Sequence, residues 1–461
     1  MRTCLALVFL SLAAAGCAVG PNYSRPATPA QAGWKESTAT NNLAKLPSTW
    51  WQIFQDAQLS ALERQAIDAN QDLRRAVARL SEARAMARVS AAELYPSLSA
   101  GAAYSRERLS DHRGDLPFHN VETDDFSTSF DFNYELDVWG RVRRSVEASR
   151  ADAAAAASDV EVVVLTLTAD VARHYYQIRA LDGERVVMES TVALRRDAVR
   201  LQQTRNQAGL INEADVARAK TELANVEAEL HSILRARAQT EHAPAVLCGQ
   251  PPTSLSIAPL GHGPARNPNG PSCLTPGATS RYRRSRTNAG SRFRAHRRGQ
   301  SSLLPHHQLT GAAGLASADL GTLVDWPSRM WSAGPSIHLP VFEGGRNRAN
   351  LKAADARYEQ SVASYRATIL NAFREVEDAL SDVGALAAQT EAVQRALLSA
   401  RDTAALATER YQRGLSNYLD VVDAERIVLQ AERQATQLLG QRAISTILLA
   451  KALGGGWERT N

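Results

Sequence analysis

The segment Phe126–Val138, FSTSFDFNYELDV, has the clearest periodicity in the chain. Its first alternating set is mostly aromatic or aliphatic: Phe126, Thr128, Phe130, Phe132, Tyr134, Leu136 and Val138. The second set is wholly polar: Ser127, Ser129, Asp131, Asn133, Glu135 and Asp137. A period of two with aromatic residues on one face and carboxylates on the other is typical of a transmembrane β-strand between lipid and water. A half-buried strand of a soluble sheet is the alternative.

Two further segments, 97–105 and 331–341, repeat this alternation more weakly. Pro335 and Pro340 in the second segment suit only the end or edge of a strand. Three or four such strands cannot close a barrel alone, because an open edge in lipid leaves backbone groups unpaired. The chain must therefore oligomerise, or these are not membrane strands.

Two long stretches are predicted to be helical. Residues 141–207 contain no proline and a single glycine, Gly183, and residues 346–413 contain no proline and only Gly384. Helices of roughly 65 residues reach about 100 Å at 1.5 Å per residue. Such lengths require a coiled-coil or tubular partner, because no globular core extends that far.

The two helical stretches match one another at a constant offset of 205 residues. The best-matched residues are Arg205, Gly209-Leu210, Asp215-Val216 and Ala219, which align with Arg410, Gly414-Leu415, Asp420-Val421 and Ala424. Each of these segments is predicted to be a helix, a glycine-containing turn and a second helix that opens with acidic residues. Self-similarity at a fixed offset, without a gap through a turn, indicates an internal duplication.

The N-terminus has the features of an export signal. Met1-Arg2 is followed by an apolar run, Leu5–Ala15, that is too short to span a bilayer as a mature helix. The run ends in Ala14-Ala15-Gly16-Cys17, which resembles a bacterial lipoprotein signal cleaved before the cysteine. That resemblance implies diacylglycerol and an N-acyl chain on Cys17 as a stable anchor, and Ala18 then favours sorting to the outer membrane. The alternative is an ordinary secretory leader cut near Gly16.

Bulk composition excludes several classes of protein. The chain is 22% charged, 6% aromatic and has a mean hydropathy of −0.29, so it is neither disordered nor a helical membrane protein. The net charge of +5 indicates no nucleic-acid partner.

Cys248 and Cys273 lack metal-type spacing and are predicted to be isolated thiols. No hydrolase, metalloprotease, P-loop or dinucleotide motif is present, and His174, beside Tyr175-Tyr176, is interpreted as a packing residue. We therefore expect no enzyme, no metal site and no cofactor beyond the acyl chains.

The duplicated plan of strand pairs and long helices resembles the TolC/OprM family of outer-membrane efflux proteins, in its lipoprotein (NodT-like) branch. The motifs that carry the resemblance are Val19-Gly20-Pro21-Asn22-Tyr23, Tyr95-Pro96, Trp326-Pro327-Ser328-Arg329, Leu339-Pro340-Val341-Phe342-Glu343-Gly344-Gly345 and Ala452-Leu453-Gly454-Gly455-Gly456-Trp457. It implies a mainly α fold with a β-barrel part, in which a homotrimer closes a twelve-stranded outer-membrane barrel continued by a periplasmic α-helical tube.

The resemblance also implies a function and partners. The protein would be a lipid-anchored passive exit duct for drugs, solvents or metals, in contact with outer-membrane lipid. It would work with a periplasmic adaptor protein and an inner-membrane transporter of the resistance-nodulation-division type. A duct for type I protein secretion has the same architecture and stays open as an alternative. A purely structural coiled-coil envelope lipoprotein is a second alternative, although it would leave the alternating strands unexplained.

The family further implies a gate at the periplasmic tip, made of acidic rings that follow the helix turn. Asp420 and Asp423 lie at the matching positions, and Asp215 is the duplicate of Asp420. Three copies of each would place like charges close together, which costs energy in the closed state and attracts cations. The alternative is that both acids simply stabilise a helix N-terminus.

The chain is predicted to divide into a signal peptide, 1–16, a lipidated N-terminal segment, 17–58, a first repeat, 59–254, an anomalous segment, 255–308, and a second repeat, 309–461. The anomalous segment is rich in Arg, Pro, Gly and Ser, so a basic disordered loop or a nucleic-acid or metal patch are possible interpretations. We expect irregular structure there, and its histidine pair is not interpreted as a site.

The genetic code supports a third interpretation of the anomalous segment. Codons for Ala278–Gly290, shifted by one base, can encode Arg-Arg-Pro-Asp-Ile-Ala-Ala-Ala-Glu-Arg-Thr-Leu-Ala, which resembles the helix that the family has at this place. Codons for Leu304–Gln308 can likewise encode Tyr-Pro-Thr-Ile-Ser, which matches Tyr95-Pro96-Ser97-Leu98-Ser99. We therefore interpret the segment as translated from a shifted reading frame that ends before Leu309.

Overall fold

The computed structural model describes residues 26–27, 34–35, 48–108, 122–259 and 304–454. The predicted signal peptide, Cys17, Cys273 and most of the anomalous segment lie outside these residues. The described helices are α1 (Ala57–Ala69), α2 (Gln71–Ala92), α3 (Arg141–Gln207), α4 (Glu213–Leu247), α5 (Arg346–Gln412) and α6 (Tyr418–Ala452). The described strands are β1 (Ser97–Arg108), β2 (Glu122–Leu136), β3 (His306–Ser317) and β4 (Arg329–His338).

The chain forms two compact units. The first contains the described parts of residues 79–157 and 284–366, and all four described strands belong to it. The second contains the described parts of residues 28–78, 158–283 and 367–461, which include α1, α4 and α6. No helix in the described ranges is both long enough and apolar enough to cross a membrane.

The strands form one antiparallel sheet in the order β1-β2-β3-β4. Its register places Ala100, Phe130, Ala313 and Trp331 in one row across the four strands. Side chains of this row share a face with the aromatic residues of β2, and Phe130 and Trp331 are 60% and 81% exposed in the single chain. The adjacent row, on the other face, is Ser99, Asp131, Ala312 and Ser332. The predicted two-faced strands are therefore confirmed.

The end of β2 is set by the helix that follows it. The strand ends at Leu136, before the predicted limit of Val138. The carboxylate of Asp137 accepts hydrogen bonds from the amides of Val142 at 3.1 Å and Arg143 at 2.8 Å, in the first turn of α3. Asp137 therefore caps a helix, where carboxylates are favoured, and does not continue the polar face of the strand.

The other two predicted strands also end at residues different from those predicted from the sequence. β1 extends to Arg108, beyond the predicted limit of Ser105. β4 ends at His338, because Pro340 has no backbone N–H to donate to a ladder. β3 begins at His306, inside the segment that we interpret as frame-shifted, so the prediction of irregular structure is wrong for residues 306–308.

The helix bounds repeat the internal duplication. α3 and α5 are each 67 residues long, and α4 and α6 are each 35 residues long. Each start and end in the first pair recurs 205 residues later in the second pair. A helix of 67 residues extends for about 100 Å. The two predicted helical hairpins are therefore confirmed at matching lengths.

A hydrophobic core around Trp50 joins α1 to α3. Trp50 is 1% exposed, and its indole N–H donates to Thr168 Oγ1 at 3.3 Å. The Tyr175 hydroxyl donates to Asp56 at 2.6 Å. Asp56 also caps α1 by accepting from the amide of Leu59 at 3.0 Å. The same carboxylate thus begins one helix and attaches it to another.

The chain that leaves α4 is held by a buried ionic network. Asp182, whose side chain is fully buried, pairs with Arg179 at 3.1 Å and Arg237 at 2.6 Å. Arg237 also donates to the carbonyl of Ile257 at 2.7 Å, and Arg179 to that of Ala258 at 2.8 Å. Ile257 is 1% exposed. The first described residues of the anomalous segment are therefore packed within the second unit.

Glu63 of α1 is a buried carboxyl group without compensation. It is fully buried, and neither carboxylate oxygen has a hydrogen-bond partner among the described residues. Burial raises the pKa of Glu63 to about 9. Burial, with a further contribution from Glu63, raises the pKa of the nearby Cys248 thiol to about 11. Cys248 is a free, buried cysteine, as the sequence predicts.

The stability of the second unit should therefore fall as pH rises. The pKa of Glu63 in the folded chain is above its ordinary value of 4.5, so its favourable contribution is complete below pH 4.5 and is lost as pH rises through about 9. At pH 7 burial of Glu63 costs about 3 kcal/mol. We expect Glu63→Gln to raise the melting temperature at pH 8 and to flatten its pH dependence. The exposed Glu82→Gln should change neither, and equal pH dependence in Glu63→Gln and its parent would contradict the argument.

His307 lies on the apolar face of the sheet, in the row between Leu136 and Ile337. Its Nδ1 atom is buried without a hydrogen-bond partner in the described part of the chain. The frame-shift interpretation places isoleucine at this position. We expect His307→Ile to stabilise the sheet by about 1 kcal/mol, measured as the temperature at which the folded barrel band is lost on a semi-native gel. Gln308→Ser, on the polar face, is the matched control and should have little effect; a loss of stability in His307→Ile would contradict a lipid-facing row.

Candidate functional site

Each helical hairpin turns through a left-handed glycine. Gly209 follows α3 with φ +73°, and Gly414 follows α5 with φ +75°. The amide of the next residue donates, in each case at 2.9 Å, to the carbonyl of Arg205 or Arg410. This hydrogen bond closes the last turn, and the positive φ favours glycine because it has no Cβ. Both turns therefore end their helices in the same way.

An asparagine caps the second helix of each hairpin. Asn212 Oδ1 accepts from the amide of Asp215, and Asn417 Oδ1 accepts from the amide of Asp420, both at 3.0 Å. These caps hold the two acids in the first turn, where the helix dipole stabilises a carboxylate. We did not predict the two asparagines from the sequence, although Asn three residues before Asp at a helix start is a signal for them.

The predicted gate residues lie on the exposed side of α6. Asp420 and Asp423 are both exposed and are one helical turn apart. Asp423 is 3.4 Å from the guanidinium of Arg426. Asp420 has no ion-pair partner among the residues that the structure describes. Asp215, the duplicate position, is 3.8 Å from Arg218. The acids are thus available to groups outside the single chain.

Ion pairs join the two hairpins near these turns. Arg195 of α3, which is 2% exposed, lies 2.5 Å from Glu425 of α6. Burial raises the pKa of Glu425, and the positive charge of Arg195 opposes that rise. Glu222 of α4 accepts hydrogen bonds from Arg426, which lower the pKa of Glu222. Sequence reasoning did not identify these four residues, since arginine and glutamate are common throughout the helices.

Apolar residues add to the contact between the hairpins. The buried cluster contains Val199, Ala219, Tyr418, Val421 and Val422. A cleft of about 550 Å³ lies beside the Arg195–Glu425 pair and is lined by residues of α3, α5 and α6, none of them histidine or cysteine. The described ranges contain no group of three His, Cys, Asp or Glu side chains that could hold a metal ion.

Among the described residues, His174, His306 and His307 lie in different surroundings. His306 and His307 are adjacent in β3 and therefore lie on opposite faces of the sheet. His306 is 3.8 Å from Glu135 on the polar face. His174 is half-buried in α3, where burial lowers its pKa. Cys17, the predicted lipidation site, lies outside the described residues.

Comparisons with known proteins give one consistent result. The outer membrane efflux protein family matches residues 62–250 and 286–455. The outer membrane protein OprJ of Pseudomonas aeruginosa is 30% identical over 464 residues, which cover 98% of this chain and 95% of OprJ. The cation efflux system protein CusC of Escherichia coli is 30% identical over 485 residues, with 100% of both chains covered.

Solved structures show the same relationship. The outer-membrane channel OprN superposes with a TM-score of 0.87 at 27% identity, covering 96% of this chain and 100% of OprN. The outer membrane protein VceC from Vibrio cholerae superposes with a TM-score of 0.82 at 30% identity, covering 90% of this chain and 100% of VceC.

The sheet with one apolar and one polar face, and the duplicated helical hairpins with acids in the first turn of the second helix, are features that a membrane channel protein would have. The fold is shared along nearly the whole chain with solved outer-membrane channels. The chain belongs to the outer membrane efflux protein family. It is an outer-membrane efflux channel that extends into the periplasm, and the family is one of channels and not of enzymes.

Proposed function

We propose that three copies of this chain form one passive exit duct of a tripartite efflux pump. The observation that carries the proposal is the sheet, in which β1 and β4 each have one unpaired edge in the described chain. An unpaired backbone group costs several kcal/mol in hydrocarbon, where water cannot satisfy it. Pairing β4 of one copy with β1 of the next satisfies both edges. Three four-stranded sheets then close a twelve-stranded barrel, with the apolar face toward lipid.

The hairpin turns are the proposed contact for a periplasmic adaptor protein. Leu210 and Leu415 follow the two turn glycines and are 70% and 66% exposed. Exposed apolar side chains at equivalent positions of both repeats suit a protein partner that meets every hairpin in turn. The adaptor connects the duct to an inner-membrane transporter, which supplies the energy and delivers drugs, solvents or metals.

Cys17 is the proposed lipidation site of the mature chain. Its signal-like context, Ala14-Ala15-Gly16-Cys17, supports cleavage before the cysteine and acylation by diacylglycerol and an N-acyl chain. Two or more acyl chains give stable anchoring, because each buried methylene contributes about 0.8 kcal/mol. We expect the intact mass of the purified protein to begin at Cys17 and to include these chains. A mature chain that begins at another residue without lipid would overturn the assignment.

The gate is proposed to consist of Asp420 and Asp423. Both carboxylates are exposed next to a hairpin turn. Asn417 caps the start of α6 by accepting from the amide of Asp420, and Arg426 pairs with the carboxylate of Asp423. Three copies around one axis would place six carboxylates at the tip of the tube. Their mutual repulsion makes the closed state costly and favours cations at the entrance.

The functional test is export by living cells. A strain that lacks its own channel of this type should accumulate less ethidium when it expresses this chain with its adaptor and transporter. The same plasmid with the reading frame restored between residues 255 and 308 is the matched comparison. Failure of both versions to lower ethidium accumulation, with both proteins present in the outer membrane, would contradict the efflux function.

Neutralising the gate should change conductance at rest. We expect Asp420→Asn with Asp423→Asn to lower the resting conductance of the purified channel in planar bilayers by several-fold, because the closed tip no longer holds six repelling carboxylates, and to reduce its preference for K⁺ over Cl⁻. Asp378→Asn is the control, because Asp378 is similarly exposed but lies in the middle of α5. Unchanged conductance and ion preference in the double variant would leave Asp420 and Asp423 with only a helix-capping role.

A further inference from the structure

Two histidines face one another across β3 and β4. His306 is the first residue of β3, His338 is the last residue of β4, and the register pairs them directly. Directly opposed residues project to the same face of a sheet, with their Cβ atoms about 5 Å apart. His306 and His338 therefore share the polar face, whereas His307 projects to the other face. We did not predict this pair from the sequence, because its members are far apart in the chain.

Both imidazoles of the pair are accessible to solvent. The side chain of His306 is 28% exposed, and His338 is exposed. Two imidazoles at this separation can each give one ring nitrogen to the same metal ion, at a distance of about 2 Å. Zn²⁺, Ni²⁺ and Cu²⁺ are the divalent ions that imidazole ligands suit. The described ranges contain no group of three His, Cys, Asp or Glu side chains around such an ion, so water would complete its coordination.

Glu135 of β2 gives His306 a charged neighbour on the same face. Its Oε1 atom lies 3.8 Å from Nδ1 of His306. The same oxygen accepts a hydrogen bond from Nε of Arg141 at 2.8 Å, which fixes the position of the carboxylate. A shift of about 1 Å would bring Nδ1 within hydrogen-bond distance of Oε1. Metal-bound histidines commonly donate their second nitrogen to a carboxylate, which orients the ring and raises its basicity. Glu135 thus leaves Nε2 of His306 for the metal ion.

We propose that His306 and His338 bind one divalent transition-metal ion of the class that prefers imidazole, with Glu135 as the hydrogen-bond partner of His306. The site needs contacts within one chain only. In the proposed duct the polar face lines the water-filled lumen, so the ion would lie in the path of conduction. That last consequence rests on the proposed function, whereas the metal site does not.

The test is a calorimetric titration of the purified full-length protein, without a polyhistidine tag, with Ni²⁺. We expect saturable binding of one ion per chain. His338→Asn and His306→Thr should each weaken Ni²⁺ binding by more than about tenfold, because each removes a ligand. Threonine is the residue that the restored reading frame has at position 306. Glu135→Gln keeps both ligands and should weaken binding by about tenfold, as the loss of a ligand's hydrogen-bond partner does in other metal sites.

Two controls test which groups hold the ion. His307→Ile removes the neighbouring imidazole from the other face and should leave Ni²⁺ binding unchanged. Mg²⁺ prefers oxygen ligands and should not compete with Ni²⁺. Equal Ni²⁺ affinity in the parent and both histidine variants overturns the inference, and so does displacement of Ni²⁺ by an equal concentration of Mg²⁺.

A measurement on the parent alone covers the case in which a variant does not fold. Cu²⁺ bound to the parent should show nitrogen coupling from imidazole in its electron paramagnetic resonance spectrum. A spectrum with oxygen ligands only would overturn the inference without any substitution.

Channel recordings separate failure of the metal site from failure of the duct. Ni²⁺ should lower the single-channel conductance of the parent in planar bilayers, and His338→Asn should remove this effect. Ni²⁺ binding that leaves the conductance of an active channel unchanged supports the metal site and contradicts the placement of the polar face in the lumen. A parent that binds Ni²⁺ but is monomeric and does not conduct supports the metal site and overturns the proposed duct.

Discussion

Backbone hydrogen bonding in a medium without water is the constraint on which the rest of this structure depends. A strand edge that faces hydrocarbon has no alternative partner, so a four-stranded sheet with two open edges is incomplete in lipid. The aromatic face of the sheet, with Phe130 and Trp331, is also incomplete, because its apolar side chains are exposed and nothing within the described chain covers them. A single copy meets neither requirement. Oligomerisation is therefore a condition for placing this sheet in a membrane, and the helices must then pack into a shared tube as well.

The internal duplication suits the packing of the helices into a shared tube. The two hairpins have matching lengths, the same glycine turn and the same asparagine cap, so equivalent residues lie at the same distance from the turn in both. The same ion pair between the two helices of a hairpin is present in both repeats, as Arg196 with Glu227 and Arg401 with Glu432. Within the chain, the two hairpins are joined by ion pairs such as that of the buried Arg195 with Glu425.

Much of the fold could be predicted from the sequence, and the reasons are local. Alternation predicts β2, the absence of proline predicts the long helices, and the offset predicts the hairpins. The end of β2 could not be predicted, because Asp137 fits the polar face of the strand equally well until its hydrogen bonds to the start of α3 are known. The Arg195–Glu425 pair was also beyond the sequence, because its members are 230 residues apart and helical phase must be known along both long helices. Asp420 and Asp423 came from the family resemblance, and the structure adds that both are exposed beside the turn.

The anomalous segment shows how local sequence and three-dimensional register can disagree. Its first described residues are in keeping with the fold: Ile257 is buried, and the carbonyl of Ala258 accepts from Arg179. At its other end His307 occupies a row of the sheet between Leu136 and Ile337, where an apolar side chain belongs. The shifted reading frame supplies isoleucine at that position and serine at 308 on the polar face, so it satisfies the alternation that the translated residues break at 307. In an apolar row, the imidazole of His307 leaves its buried Nδ1 without a hydrogen-bond partner among the described residues. A one-base shift in the gene would explain its presence there without any structural role. The frame-shift hypothesis thus accounts for a misplaced polar group as well as for an unusual composition.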